Sequence, residues 1–77
     1  MNTYDDYVDL GTLAVWQLER DDFIEFRYED RLTRMHITSC PEEAADTVLL
    51  HGYDLDTGEP VSVVLEPDDE VTQIGVR

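Results

Sequence analysis

The chain contains no lysine and a single cysteine, Cys40. One cysteine excludes an internal disulfide framework, so the apolar core must hold the fold together. No apolar run approaches the roughly 20 residues that a membrane-spanning helix requires. The N-terminal segment, residues 1–6, is acidic where a signal peptide would be basic. These absences predict a cytoplasmic protein that does not contact a membrane.

The chain is also short. Its 77 residues are enough for one domain, which we expect to span residues 1–77. A chain of this size buries only about 60% of the surface that it exposes when unfolded, so we expect its stability to be marginal. Apolar residues make up 42% of the sequence, which supplies one compact core and argues against a disordered acidic tail.

What the chain has in excess is negative charge, because 19 acidic residues stand against five arginines and give a formal net charge of −14. The imbalance is uneven along the sequence. Residues 1–19 carry four acids and no base, residues 20–34 carry five acids against four arginines, and residues 35–77 carry ten acids against Arg77 alone. A field of this sign repels phosphate backbones, so direct nucleic-acid binding is not expected.

Apolar runs separated by turn-like clusters indicate a small all-β domain. The predicted strands lie at residues 23–28, 33–37, 47–53, 61–65 and 71–76. We therefore predict a mainly β fold, either a small SH3-like barrel or a strongly bent antiparallel sheet of five to six strands. A short N-terminal helix or an extra strand completes it.

Residues 10–18 do not decide between that helix and that strand. Leu10, Leu13, Ala14 and Leu18 fit one face of a helix, whereas residues 12–18 also fit a strand, and the helix is slightly favoured. Residues 39–45 are expected to form one capped helical turn or a loop. The predicted core comprises Leu13, Trp16, Ile24, Phe26, Tyr28, Met35, Ile37, Leu49, Val63, Leu65 and Ile74.

The first two of these strands are expected to pair as a hairpin about Asp30 and Arg31. That register sets Phe26 opposite Met35 on the core side and Arg27 opposite Arg34 on the outer side. Like charges directly across a sheet destabilise it unless neighbouring carboxylates neutralise them. The arginine pair, with His36 beside it, is therefore a candidate strip for binding an anion or a partner.

Most other motifs in the sequence point to structure rather than to catalysis. Asp56-Thr57-Gly58 matches the tripeptide of aspartic proteases, but its flanking residues do not, and we interpret it as a hairpin turn with Gly58 in the left-handed conformation. Cys40 and two histidines are too few for a structural zinc site, and Cys40 is expected to be partly buried. No enzyme activity, metal or cofactor is predicted.

A second candidate binding surface is the acidic run Glu66, Asp68, Asp69 and Glu70, which is interrupted only by a proline. A surface of this kind attracts a basic protein partner. Trp16 and the tyrosines Tyr4 and Tyr7 are candidate residues for contacting a partner, although a core position is the favoured prediction for Trp16.

Three stretches of the chain resemble the WYL domain, a small SH3-like β-barrel found mostly in bacterial regulators. They are Phe-Ile-Glu-Phe-Arg-Tyr at residues 23–28, Val-Leu-Leu-His-Gly-Tyr-Asp at residues 48–54, and residues 61–65 leading toward Ile74. The resemblance implies a small barrel that senses a ligand. The chain departs from the family in having no aromatic residue at positions 48–50 and acids in place of the last basic segment, so no functional residue is transferred.

Several functions follow from these observations as hypotheses. The first is a non-catalytic acidic interaction module, encoded by a phage or another mobile element, that binds a basic protein partner through its acidic surface. The alternatives are an orphan WYL-like sensor of a small anionic or nucleotide ligand near Arg27 and Arg34, a homo-oligomeric structural protein, and an inhibitor that imitates DNA. The acidity alone also fits a solvated surface in a cell with high internal salt.

Overall fold

The computed structural model describes residues 7–76, which form a curled antiparallel sheet. About 61% of the chain is in strands, so the predicted mainly β fold with a strongly bent antiparallel sheet is confirmed. The strands are β1 (Tyr7–Ala14), β2 (Phe23–Tyr28), β3 (Arg31–Ile37), β4 (Glu42–Glu43), β5 (Val48–Asp54), β6 (Pro60–Leu65) and β7 (Glu70–Val76).

The strands lie side by side in the order β1, β7, β2, β3 and β5. β6 pairs with the side of β5 that faces away from β3. β3 pairs with the C-terminal end of β5, and the two residues of β4 pair with its N-terminal end. β6 pairs with β5 along its whole length. Within the described residues, β1 lies at one edge of the sheet, and β4 and β6 at the other end each pair with β5 alone.

The N-terminal segment is the extra strand and not the helix that was slightly favoured. β1 pairs with β7 from Tyr7 to Ala14, and one 3₁₀ turn at Val15–Gln17 follows it. An isolated helix of this length is only marginally stable, whereas pairing with β7 satisfies the backbone groups along one side of the whole segment. The apolar spacing of residues 10–18 fits both structures, so tertiary pairing decides between them.

The β2–β3 hairpin forms, but its register differs from the predicted one. Glu29 and Asp30 are the two turn residues, and both have positive φ, as a type I′ turn requires. Phe26 consequently lies opposite Thr33, and Arg34 lies opposite Glu25. The observed register keeps every side chain on its predicted face, so hydrophobic alternation cannot distinguish the two and the turn sets the pairing.

The core lies inside the curl of the sheet. Most predicted core residues are buried or partly buried. Trp16, however, is 58% exposed, and Leu49 lies on the opposite face of β5 from the buried Val48 and Leu50. The predictions for these two residues are wrong. The 3₁₀ turn explains Trp16, because three residues per turn direct Val15 and Leu18 inward together. The main buried cluster is Val15, Leu18, Ile24, Phe26, Met35, Ile37, Val48, Leu50, Val63 and Val71.

The loops follow the predicted turns more closely than the predicted helix. Gly58 has φ +76°, which confirms the left-handed position in the turn between β5 and β6. Asp54 closes that turn, because its Oδ1 accepts hydrogen bonds from the N–H groups of Asp56 and Thr57. The expected helical turn at residues 39–45 is absent and β4 lies there instead; Cys40 is exposed and not partly buried.

Candidate functional site

The predicted strip formed by Arg27 and Arg34 does not exist in the observed register. Arg27 lies opposite Leu32, and Arg34 lies opposite Glu25. The prediction fails because the hairpin turns one residue earlier than expected, which moves each arginine away from the other. The sensor hypothesis loses the pair of cations on which it depended.

Arg34 instead serves the fold. It is only 7% exposed, its Nε donates to Glu25 Oε2 over 2.8 Å, and its Nη1 donates to Asp56 Oδ1 over 3.4 Å. Its guanidinium carbon lies 5.9 Å from the centre of the Tyr7 ring, within range of a cation–π contact. One side chain therefore connects β1, β2, β3 and the β5–β6 turn, and Tyr7 contributes to this network.

Arg27 and His36 lie apart from that network and have contacts of their own. The exposed Arg27 donates to the carbonyl oxygen of Asp30 and lines a cleft of about 250 Å³ with Asp69 and Glu70 among its other residues. The ring centre of His36 lies 4.4 Å from that of Phe23 with the ring planes tilted by 45°, and its Nε2 lies 3.3 Å from an Asp21 oxygen. The structure thus joins Arg27, but not His36, to the predicted acidic run.

The acidic run forms an exposed turn between β6 and β7. Glu66 N–H donates to Asp69 Oδ2, and Asp69 N–H donates to the carbonyl oxygen of Glu66, each over 3.0 Å. Asp68 and Glu70 are also exposed. The turn is closed by its own hydrogen bonds, which fixes the backbone that carries these carboxylates.

Two residues far away in sequence join this turn. Asp46 lines an open cavity of about 520 Å³ together with Glu66 and Asp68. The backbone N–H of Trp16 donates to the carbonyl oxygen of Pro67 over 3.2 Å, which joins the residue that carries this exposed aromatic side chain to the acidic turn. We call Trp16, Asp46, Glu66, Asp68, Asp69 and Glu70 the acidic face. Tyr4, the other candidate contact aromatic, lies outside the described residues.

A third polar arrangement was not predicted from the sequence. His51 on β5 bridges two strands, because its Nδ1 lies 2.7 Å from Ser62 Oγ and its Nε2 lies 2.8 Å from Glu42 Oε2. The neutral tautomer with its proton on Nε2 satisfies both contacts, donating to the carboxylate and accepting from the hydroxyl. Residue 51 lies opposite residue 62 in the β5–β6 pairing, so only a correct register could have revealed this contact.

We call Glu42, His51 and Ser62 the His51 clamp, because their side-chain contacts connect three strands. A serine, a histidine and a carboxylate in hydrogen-bond contact are also the components of an acyl-transfer triad. Here the three groups lie on the open outer face of the sheet, and they tie the two-residue β4 to β5 and β6. Within residues 7–76, no group of three or more potential metal ligands is present.

Comparison with known proteins adds no family to this picture. No family model matches the chain, and neither the curated proteins nor the solved structures contain a match. The resemblance to WYL domains therefore remains a prediction. In the part of the chain that the structure describes, no helix is long and apolar enough to cross a membrane.

Proposed function

We propose that this chain is a non-catalytic interaction module that binds a basic protein partner through the acidic face. The observation that supports the proposal is the clustering of Asp46, Glu66 and Asp68 around one open cavity, with the exposed Trp16 hydrogen-bonded to the same turn. Carboxylates attract the partner over a distance, and an aromatic side chain supplies contact area once it arrives.

The charge of this face is available to a partner. Arg20, Arg31 and Arg34 form ion pairs with Asp21, with Asp54, and with Glu25 and Asp56, respectively. None of the ion pairs described for residues 7–76 involves a carboxylate of the acidic face. These carboxylates are exposed, so a cation can approach them without desolvating a buried group.

The exposed Trp16 adds specificity to this attraction. Trp is the best of the aromatic side chains at binding a cation over its ring face. A lysine or arginine of the partner can therefore contact the indole while neighbouring cations contact Glu66 and Asp68. This combination favours a folded or peptide-like basic protein over simple inorganic cations.

The proposal is tested with a labelled peptide of alternating arginine and serine, whose affinity is measured by fluorescence anisotropy as salt is raised. We expect binding that weakens steeply with salt, because exposed charges are screened over about 10 Å at 0.1 M ionic strength. Replacing Glu66 by Gln together with Asp68 by Asn should weaken binding roughly tenfold at low salt. Trp16→Ala should weaken it without a large loss of stability, since the side chain is exposed.

The matched control removes the same charge elsewhere, through Glu19→Gln with Glu29→Gln, two exposed residues outside the acidic face. This control should change the affinity by less than about threefold. Equal weakening by the two double variants would mean that only the total charge matters and would refute a localised face. Sedimentation as an oligomer that buries Trp16 would instead support the homo-oligomeric alternative.

A further inference from the structure

The second edge strand, β6, has a free side. β6 pairs with β5 in an unbroken register from Pro60 to Leu65, and no other strand of the described residues pairs with it. A strand in this position presents a row of backbone N–H and C=O groups away from its neighbour. Pro60 has no N–H, and alternate residues of a paired strand direct their backbone groups toward and away from the neighbour, so only alternate residues among 61–65 offer donors to the free side.

The edge strands of the sheet differ in their protection, and β4 is only two residues long, both of them glutamates. β1 is interrupted by an irregular register between Asp9 and Gly11, where Asp9 Oδ1 accepts the N–H of Gly11 over 2.8 Å. β6 has neither an irregularity nor a charged residue between Pro60 and Leu65, and Val64 is 49% exposed. Bulges and charges are the usual means of blocking strand addition, so β6 is the edge that can accept another strand.

The charge around β6 selects the occupant. Glu59 precedes the strand and Glu66 follows it, and both are exposed. A second copy of this chain would bring a further net charge of −14 to the same edge. An extended segment with arginine or lysine near its ends meets a carboxylate at each end of β6 and continues onto the acidic face at Glu66.

We propose that a basic partner binds by adding an extended strand to the free edge of β6. The inference rests on the proposed function, because it takes the same basic partner and specifies how the partner is held. Backbone hydrogen bonds supply binding along residues 61–65, and the terminal cations set position and orientation against Glu59 and Glu66. Alternate side chains of the added strand lie beside Ser62 and Val64 on the outer face.

The probe is a short peptide with arginine at both ends and alternating threonine and valine between them. Its control has the same sequence with every threonine and valine N-methylated, which retains the charge and removes the backbone donors. We expect the control to bind about tenfold more weakly or worse, because it cannot form the strand pairing. The amides of β6 that face away from β5 should exchange at least about tenfold more slowly when the unmodified peptide is bound.

Each other outcome overturns a defined part of the inference. If both peptides bind equally and β6 amides remain unprotected, strand addition is wrong while the basic-partner proposal stands. If neither peptide binds even at low salt, and the arginine–serine peptide also fails, the proposed function itself is wrong. If β6 amides become protected as the protein concentration rises without peptide, the occupant is a second copy of the chain.

Discussion

The β2–β3 hairpin and the acidic face carry charge in different ways. In the hairpin, acids and arginines are joined, as in the contacts of Arg34 with Glu25 across the strands and with Asp56 from a neighbouring turn. On the acidic face, Asp46, Glu66 and Asp68 surround an open cavity, and no ion pair described for residues 7–76 includes them.

The difference teaches where the few cations of the chain are used. Arg34 is buried and holds elements together, so its charge is not displayed to a ligand. On the acidic face, the carboxylate of Asp69 accepts a backbone N–H of its own turn, and all the carboxylates are exposed to solvent. Removing one partner of an ion pair inside the fold leaves the other charge unpaired and destabilises the fold, whereas an exposed cluster of one sign is available to a partner.

The largest expected effect comes from a substitution at the pairing of β3 with β5, next to the hairpin. Gly52 of β5 pairs with Ile37 of β3, and a Cβ on Gly52 would overlap the carbonyl oxygen of His36. Residue 52 and the carbonyl group of His36 both belong to paired strands, so neither strand can move aside without breaking the sheet. We expect Gly52→Ala to lower the free energy of unfolding by about 4 kcal/mol or to prevent folding, as measured by urea denaturation.

Gly58→Ala is the matched control for that substitution. A Cβ on Gly58 meets open space, and the cost arises only from its positive φ, which we expect to be about 1 kcal/mol. If Gly52→Ala cost no more than Gly58→Ala, the close approach of β3 and β5 at Gly52 would be wrong.

The next effect tests the arginine network itself. Arg34→Ala leaves Glu25 and Asp56 without the guanidinium between them and opens a space under Tyr7, and we expect a loss of about 2–4 kcal/mol. Arg27→Ala, at an exposed residue on the neighbouring strand, should cost less than about 0.5 kcal/mol in the same urea titration. Similar losses for the two variants would contradict the separate roles assigned to them.

A smaller effect sharpens the register of the hairpin. Glu29 and Asp30 both adopt positive φ, which Asn and Gly adopt more readily, so Glu29→Asn with Asp30→Gly should stabilise the fold by about 1 kcal/mol. The equivalent change at the turn predicted from the sequence, Asp30→Asn with Arg31→Gly, should destabilise it, because Arg31 begins β3. The opposite ranking in thermal denaturation would favour the register with Arg27 facing Arg34.

The smallest effect concerns the contacts of His51 with Ser62 and Glu42. Ser62→Ala and Glu42→Ala each remove one partner of the half-exposed His51, and each should cost about 0.5 kcal/mol. Because both contacts share one imidazole ring, we expect the double variant to deviate from the sum of the single ones. Strict additivity in a double-mutant cycle would indicate that His51 does not couple the two groups.

These comparisons also show what the sequence could and could not predict about the fold. Alternation at residues 23–28 located β2, and turn residues such as Gly58 located the β5–β6 connection. The inward side of β5 was missed because Val48, Leu49 and Leu50 are all apolar, which leaves two phases equally favourable. β1 was predicted only as the less favoured alternative, because its spacing fits a helix and a strand alike.

The candidate site was predictable only in its local part. The acidic turn was identified, since its carboxylates are neighbours in sequence. Asp46 and Trp16 join it through tertiary contacts that no spacing within the sequence encodes. The His51 clamp likewise depends on the pairing of β5 with β4 and β6, and the arginine strip was predicted wrongly because one turn residue changes every cross-strand partner.

The most direct test of the difference between the two regions is an amide NMR titration of the full chain with the arginine–serine peptide. We expect the indole N–H of Trp16 and the amides of Asp46, Glu66, Asp68, Asp69 and Glu70 to shift most, and those of the β2–β3 hairpin to shift little. Shifts spread evenly over the surface, or concentrated in the hairpin around Glu25 and Arg34, would contradict the account.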